Sequence, residues 1–229
     1  MGTNTLRLVS EYYQAAYSAH DPGPTASRPQ FPYVGQQYDR APLRVVFVGK
    51  APAGWGRGAD SEYRDWSPGQ WARGGAEATA GFLETVIGRS YRSAWWACLA
   101  RLASGLAPGS GGLRGVACTN LFKAGTGAGN PNGRLRSYLL GEPRVGWLRS
   151  ELEILRPDVI VFFCRSYRAE LSRMLPGVDL SPSGDRPWAA GRWRGASVFL
   201  ARHPQGWRVG GPGGLDAFEA AVLEGAARA

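Results

Sequence analysis

Residues 43–56, LRVVFVGKAPAGWG, carry the most informative structural pattern of the chain. Its apolar run, Val45 to Val48, predicts a buried strand of a parallel sheet, because such strands are covered on both faces and carry continuous hydrophobic residues. The run ends abruptly in the glycine-rich segment GKAPAG, residues 49–54. In open α/β sheets, ligands bind at the carboxyl ends of the strands, where backbone N–H groups can face an anion. The stretch therefore predicts a strand followed by a binding loop.

Two further polar segments also follow apolar runs. The first is CTNLFK at residues 118–123, and the second is RHPQGWR at residues 202–208. Because the carboxyl ends of parallel strands meet at one edge of a sheet, three such segments predict a single active-site crevice assembled from distant parts of the sequence.

These three segments, in this order, resemble the motifs of the uracil-DNA glycosylase superfamily. The family's first motif, Gly-x-x-Pro-Gly/Ala after a strand, is matched by residues 49–53 (GKAPA), and its Thr-Asn-x-x-Lys motif by residues 119–123 (TNLFK). Its final His-Pro-Ser motif, which precedes a DNA-intercalating loop, is represented by residues 203–205 (HPQ). The resemblance spans residues 43–225. Two positions depart from it: Lys50 stands where one branch has a catalytic Glu, and Gln205 replaces Ser.

The resemblance assigns two polar side chains to the base. His203 would donate a hydrogen bond to the oxygen of the departing base and so favour its anion. Asn120 offers both a donor and an acceptor, which suits reading the polar edge of a flipped base. Each has a structural alternative: His203 satisfied by backbone groups at a strand end, and Asn120 bonded to a neighbouring loop.

The catalytic carboxylate is expected in the loop that follows the first motif. Lys50 cannot act as an acid, but another branch of the family uses an acidic residue farther along this loop, where the chain has Asp60, Glu62 and Asp65. Asp65, in the segment Tyr63-Arg64-Asp65-Trp66, lies close to the aromatic-then-acid spacing of the family, so the resemblance favours it. Tyr63 or Trp66 would then stack on the flipped base. The alternative is that all of these are ordinary polar loop residues.

The remaining expected contacts with the base or the DNA come from all three motifs. The residues are Gly49, Lys50, Ala51, Pro52 and Ala53 from the first motif, Lys123 from the second, and Gln205, Trp207 and Arg208 from the third. The loop 205–208 would wedge into the duplex at the flipped site. Lys123 would touch phosphate or be solvated, and Trp207 has packing against the loop near Pro212 as its alternative.

The charge balance favours a polyanionic partner. The chain carries 27 Lys and Arg against 18 Asp and Glu, a net charge of +9, with a pI near 9.9. Arginine, which supplies nearly all of this charge, makes bidentate contacts with phosphate. DNA is therefore the expected partner, and a solvated basic surface is the alternative.

Three widely spaced cysteines, Cys98, Cys118 and Cys164, argue against a disulfide framework and for a reducing cytoplasm. Several branches of the family hold an iron–sulfur cluster on four cysteines, and three cannot supply that set. No cluster, other metal or cofactor is expected. The sequence contains neither an apolar run long enough to span a bilayer nor a signal-peptide pattern, so we expect a cytoplasmic protein without a membrane partner, and a monomer.

Alternating strand and helix patterns predict one α/β domain over residues 1–229, with an N-terminal helix and a Pro-rich connector in residues 1–40. Helices are expected over residues 4–19, 77–87, 93–105, 148–155, 168–175 and 215–228, and strands over 44–48, 116–121, 159–164 and 196–201. Residues 54–75 and 125–133 are expected to be loops. The pattern indicates a three-layer α/β/α sandwich with a central, mostly parallel sheet.

The sequence thus predicts a monofunctional DNA glycosylase, which hydrolyses the N-glycosidic bond of a flipped-out uracil or modified pyrimidine and leaves an abasic site, as in base-excision repair. One alternative is a glycosylase acting on bulky modified phage DNA, such as glucosylated hydroxymethylcytosine, in antiviral defence. Another is a catalytically inactive DNA-binding member. A nucleotide-binding enzyme is disfavoured, because the phosphate-loop pattern GxxxxGK[ST] is absent.

Overall fold

A computed structural model describes residues 4–18, 30–52, 68–88, 93–125, 130–207 and 213–228. Seven strands in these ranges form one sheet with the order β1-β3-β2-β4-β7-β6-β5. The strands are β1 (Tyr33–Val34), β2 (Val45–Gly49), β3 (Val116–Asn120), β4 (Val159–Phe162), β5 (Asp179–Pro182), β6 (Ala189–Trp193) and β7 (Ala196–Leu200). The four central strands, β3, β2, β4 and β7, are parallel, whereas β1, β6 and β5 pair antiparallel at the two sides. The predicted mostly parallel sheet is confirmed.

The helices in the described residues are α1 (Asn4–Ser18), α2 (Pro68–Gly88), α3 (Ala94–Leu106), α4 (Gly133–Leu139), α5 (Trp147–Leu155), α6 (Arg168–Met174) and α7 (Leu215–Ala226). None of them is long and apolar enough to cross a membrane.

Alternate residues of β2 separate the two apolar cores. Val46 and Val48 pack in one core with residues of α1, α5 and α6, whereas Val45 and Phe47 pack in the other with residues of α3 and α7. Successive side chains of a strand point to opposite faces of the sheet. Because both faces of β2 are covered by helices, the apolar run from Val45 to Val48 has no polar position, and the predicted three-layer α/β/α architecture is confirmed.

Several local expectations need correction. The helix expected at residue 77 begins at Pro68, so the predicted loop 54–75 ends before that residue. Three strands were not predicted: β1, β5 and β6. All three lie outside the parallel centre of the sheet, and β5 exposes three of its four residues, so no hydrophobic alternation marks it. Gly133, expected to lie in a loop, opens the unpredicted helix α4.

Candidate functional site

The carboxyl ends of the central strands bring the three sequence motifs to one edge of the sheet. Gly49, at the end of β2, is in register with Asn120, at the end of β3. On the other side of β2, the parallel strands β4 and β7 run in the same direction, and β7 leads through Ala201 and Arg202 into His203. The shared edge follows from parallel pairing.

Gly49 allows the close packing of this edge. A β-carbon added at Gly49 would collide with Oδ1 of Asn120 and would stand 3.4 Å from Cη2 of Trp95. The bare backbone therefore leaves room for the Asn120 amide and the Trp95 indole at the place where a side chain of residue 49 would stand. This is the physical reason for a glycine at the first position of the motif.

Trp95 connects Gly49 to His203 and was missed as a site residue in the sequence. Its ring stacks on the imidazole of His203, with centroids 5.1 Å apart and an interplanar angle of 7°. Trp95 lies in the first turn of α3, where the hydroxyl of Ser93 caps the helix by accepting a hydrogen bond from the Trp96 N–H. In the sequence Trp95 is one apolar residue of an amphipathic helix, and only the tertiary packing shows that it orients the histidine.

The imidazole of His203 is neutral at physiological pH. Partial burial, and secondarily the nearby charge of Lys50, lower the pKa of His203 to about 4. Nδ1 accepts a hydrogen bond from the Gln205 N–H, 3.4 Å away. Because a neutral imidazole carries one proton, this acceptor role at Nδ1 places the proton on Nε2, which then serves as a hydrogen-bond donor.

Lys50 places a positive charge beside His203. It directly follows β2, it is half-buried, and its carbonyl accepts a hydrogen bond from the Phe122 N–H at 2.9 Å. Its charge also acts on the pKa of Cys164, although burial of that thiol is the larger effect and raises its pKa to about 12. An N–H donor at His203 and a cation at Lys50 together form an environment that stabilises developing negative charge.

Asn120 is paired through its side chain. Its Nδ2 donates a hydrogen bond to Oε1 of Gln30, a residue of the N-terminal connector that was not expected to belong to the site. The alternative of a structural hydrogen bond is thus present in the structure, while Oδ1 lies on the opposite side of the amide, over Gly49. No local sequence pattern indicates Gln30, since the contact joins positions 90 residues apart.

Lys123 lies in the protein interior, which corrects the expectation of a phosphate contact. Only 2% of its side chain is exposed, and Nζ forms an ion pair of 2.6 Å with Oε2 of Glu151, which is fully buried. Nζ also lies 2.6 Å from Oγ1 of Thr119, and the Tyr13 hydroxyl donates to the same carboxylate. An ammonium held in this way does not reach DNA. Through these contacts, the Lys123–Glu151 pair links α1, α5 and the turn after β3.

Trp207 is half-buried and packs against other aromatic rings, and its expected part in a DNA wedge stays a prediction. Its indole contacts Trp188 and Phe218, with ring centroids 6.2 Å and 5.6 Å away, and its Nε1 donates to the Arg202 carbonyl at 2.9 Å. Pro212, near which its packing was expected, lies outside the described part of the chain. Gln205 is exposed in the turn Pro204–Gly206, and its expected DNA contact stays a prediction.

Of the other first-motif residues, Ala51 is half-buried and Pro52 is buried at the same edge. Five predicted site residues lie outside the described part of the chain: Ala53, Tyr63, Asp65, Trp66 and Arg208. The expected carboxylate and stacking aromatics therefore stay predictions.

All three cysteines are buried free thiols, and burial raises the pKa of each. Within the described ranges, no group of three or more His, Cys, Asp or Glu side chains is arranged to hold a metal ion.

A cavity of about 760 Å³ lies at the opposite edge of the sheet, where β2, β4 and β7 begin. Arg44, Arg156 and Arg194 line it, and two of these pair with carboxylates: Arg44 with Asp158 and Arg194 with Glu153. This cavity is separated from the motif-bearing edge by the length of the strands, so it is not the crevice that the motifs predict.

Comparisons of the sequence with the models of known protein families and with curated proteins found no match. The fold and the site together describe an α/β sandwich in which a neutral histidine, a lysine and an amide lie at the carboxyl ends of the parallel strands.

Proposed function

We propose that the protein is a DNA glycosylase, which hydrolyses the N-glycosidic bond of a flipped-out uracil or modified pyrimidine and leaves an abasic site. The observation that carries the proposal is the neutral His203, whose Nε2–H has no hydrogen-bond partner among the described residues and whose ring is held by Trp95 and by the Gln205 N–H. A base leaves as an anion, and preorganised donors aimed at developing negative charge accelerate such a step.

Each part of the site has a place in this chemistry. His203 donates to the oxygen of the departing base, and the Lys50 ammonium stabilises the same anion through its charge. Asn120 reads the polar edge of the base with Oδ1 and with the Nδ2 proton that Gln30 does not use. The positively charged sugar that remains requires a carboxylate, for which Asp65 is our candidate, and a water then attacks the sugar.

The charge of the chain supports a DNA partner. A net charge of +9 favours binding to a polyanion, and an enzyme that acts on a base must first take that base out of the stack into a pocket. We extend the proposal to a cytoplasmic monomer that needs neither a metal nor a cofactor.

The test is a set of duplex oligonucleotides that share one sequence and each carry one altered base, including uracil and a bulky glucosylated hydroxymethylcytosine. Abasic sites are scored after incubation with enzyme in excess. Release of at least one base supports the proposal, and the base released distinguishes a repair enzyme from a defence enzyme. Tight DNA binding with no base released would instead support the catalytically inactive alternative.

A further inference from the structure

Two arginines lie side by side at the motif-bearing edge of the sheet, next to His203. Arg165 follows the carboxyl end of β4, whereas Arg202 follows the carboxyl end of β7 and directly precedes His203. Because β4 and β7 are neighbouring parallel strands, both residues reach the same edge. The strand order therefore brings two guanidinium groups to the border of the candidate site.

Backbone hydrogen bonds fix the two arginines relative to each other. The Arg165 N–H donates at 3.0 Å to the Ala201 carbonyl, which belongs to the peptide unit that joins Ala201 to Arg202. The Ala201 N–H donates to the Phe162 carbonyl at 2.8 Å, and the Arg202 carbonyl accepts from Nε1 of Trp207 at 2.9 Å. Both arginines thus stand on one hydrogen-bonded framework that does not depend on their side chains.

The two guanidinium groups carry unneutralised charge. Both side chains are exposed, and neither forms an ion pair with a carboxylate of the described residues. Two like charges on adjoining backbone positions repel each other, and an anion bound between them removes this repulsion. Six other arginines do form ion pairs with carboxylates: Arg7, Arg44, Arg101, Arg114, Arg136 and Arg194.

The proposed reaction brings such an anion to this position. A nucleotide that is flipped toward His203 stays joined through its phosphates to the strand that carries it. Arginine binds phosphate through a planar fork of N–H donors, and phosphate contacts fix the position of a protein on DNA. Because Arg202 directly precedes His203, a phosphate bound there lies beside the flipped nucleotide.

We propose that Arg165 and Arg202 form a phosphate clamp, which binds the DNA backbone next to the flipped nucleotide. This inference rests on the proposed glycosylase function, which supplies the flipped nucleotide. It names the surface through which the protein holds the substrate strand. Both arginines bind the substrate, and neither takes part in breaking the glycosidic bond.

Charge-removing and charge-keeping substitutions test the clamp. Arg165→Gln and Arg202→Gln each remove one cation but keep the backbone hydrogen bonds that fix the two residues. Arg202→Lys keeps the charge and loses only the planar fork of donors. Arg192→Gln is the matched control, since Arg192 is also exposed but is in register with Ser197, near the start of β7 and so at the opposite edge of the sheet.

The first measurement is the Kd of a duplex across a range of salt concentrations. The duplex carries one 2′-fluorinated deoxyuridine, whose base is released slowly because fluorine disfavours a positively charged sugar. Each lost phosphate contact lowers the slope of log affinity against log salt by about 0.9. Arg165→Gln and Arg202→Gln should each show that loss, and the double variant a loss of about 1.8. Arg202→Lys and Arg192→Gln should keep the wild-type slope.

The second measurement locates the clamped phosphate. In a set of such duplexes, one phosphate beside the fluorinated nucleotide is replaced by a neutral methylphosphonate, at a different position in each. At the clamped position the neutral link should weaken wild-type binding about tenfold, as expected for a hydrogen bond to a charged group. It should not weaken the double variant further, because both changes remove the same contact.

Failure of the clamp and failure of the glycosylase proposal give different results. The clamp is overturned, with base release intact, if the double variant keeps the wild-type salt slope, if Arg192→Gln lowers the slope as much as Arg165→Gln or Arg202→Gln, or if every methylphosphonate weakens the double variant as much as the wild-type protein. If the wild-type protein releases no base from any duplex of the altered-base set, the glycosylase proposal fails, and the clamp fails with it.

Discussion

At the scale of single residues, the pair of Lys50 and His203 makes a prediction about pH. Base release should stay constant as the pH falls through the ordinary histidine pKa of 6.5 and should decline only near pH 4, where His203 takes up a proton. Lys50→Met removes a charge that lowers the pKa of His203, so the decline should move to higher pH. Lys50→Arg keeps the charge and should leave the profile in place. Single-turnover rates across this range are the measurement.

An acid limb at the same pH in the Met and Arg variants would contradict the coupling of Lys50 to His203.

The lowered pKa of His203 also has a consequence for the stability of the fold. Because the pKa of His203 is lower in the folded protein, the unfolded chain binds more protons between pH 6.5 and 4. The contribution of His203 to stability is therefore complete above pH 6.5 and is lost as the pH falls toward 4.

A second prediction at this scale concerns Asp65. If its carboxylate stabilises the positively charged sugar, Asp65→Asn should reduce single-turnover base release by at least about 10²-fold, the usual effect of removing one preorganised electrostatic group. Asp60→Asn and Glu62→Gln are the matched controls in the same loop and should stay active. An active Asp65→Asn variant beside an inactive control would move the carboxylate to another loop position.

At the scale of elements, the Lys123–Glu151 ion pair joins α1, α5 and the turn after β3. Desolvation lowers the pKa of Lys123, and the charge of Glu151 opposes this effect. Lys123→Met would leave the buried Glu151 carboxylate without its cation. We expect a loss of about 3–5 kcal/mol in the free energy of unfolding, the usual cost of breaking a buried pair. Urea-induced unfolding measures it.

The control for this substitution is the ion pair of Arg7 and Glu11 on α1, whose side chains are 60% and 54% exposed. Glu11→Gln should change the free energy of unfolding by at most about 1 kcal/mol, because exposed pairs contribute little. A Lys123→Met variant as stable as Glu11→Gln would show that the buried pair does not hold these elements together.

The central elements could be predicted from the sequence because their patterns are local. The helical spacing gave α3 and α5 to within one residue at each end, and the apolar runs gave β2, β4 and β7 nearly as well. The side strands could not be predicted. β6 contains Gly191, where a side chain would collide with the Asp179 carbonyl, so its sequence reflects close approach to β5 rather than alternation.

The residues of the candidate site also fall into two groups: those whose position the sequence predicts and those that only tertiary packing brings there. Gly49, Asn120 and His203 each follow an apolar run, so their position at one sheet edge follows from the sequence. Trp95 and Gln30 reach the site only through tertiary packing, and neither carries a local signal. Lys123 and Trp207 lie in motifs that predicted exposure, but the burial of Lys123 depends on Glu151 and the packing of Trp207 on Phe218, which are distant in the sequence.

At the scale of the whole molecule, the excess of basic residues predicts how DNA binding depends on salt. A net charge of +9 and the absence of a recognised base-reading helix motif imply that phosphate contacts dominate the affinity. The Kd for a random-sequence duplex should therefore rise steeply between low and physiological salt. Affinity that does not change with salt, or no binding at low salt, would remove the main support for a DNA partner.

The most direct test of the glycosylase proposal is single-turnover release of uracil from a duplex that contains one uracil, with the free base and the abasic strand both quantified. We predict equal amounts of the two products from the wild-type protein. His203→Ala and Asn120→Ala should each slow release by about 10²-fold without weakening DNA binding. If the wild-type protein binds this duplex and yields neither product, or if both variants release uracil at the wild-type rate, the proposed site is contradicted.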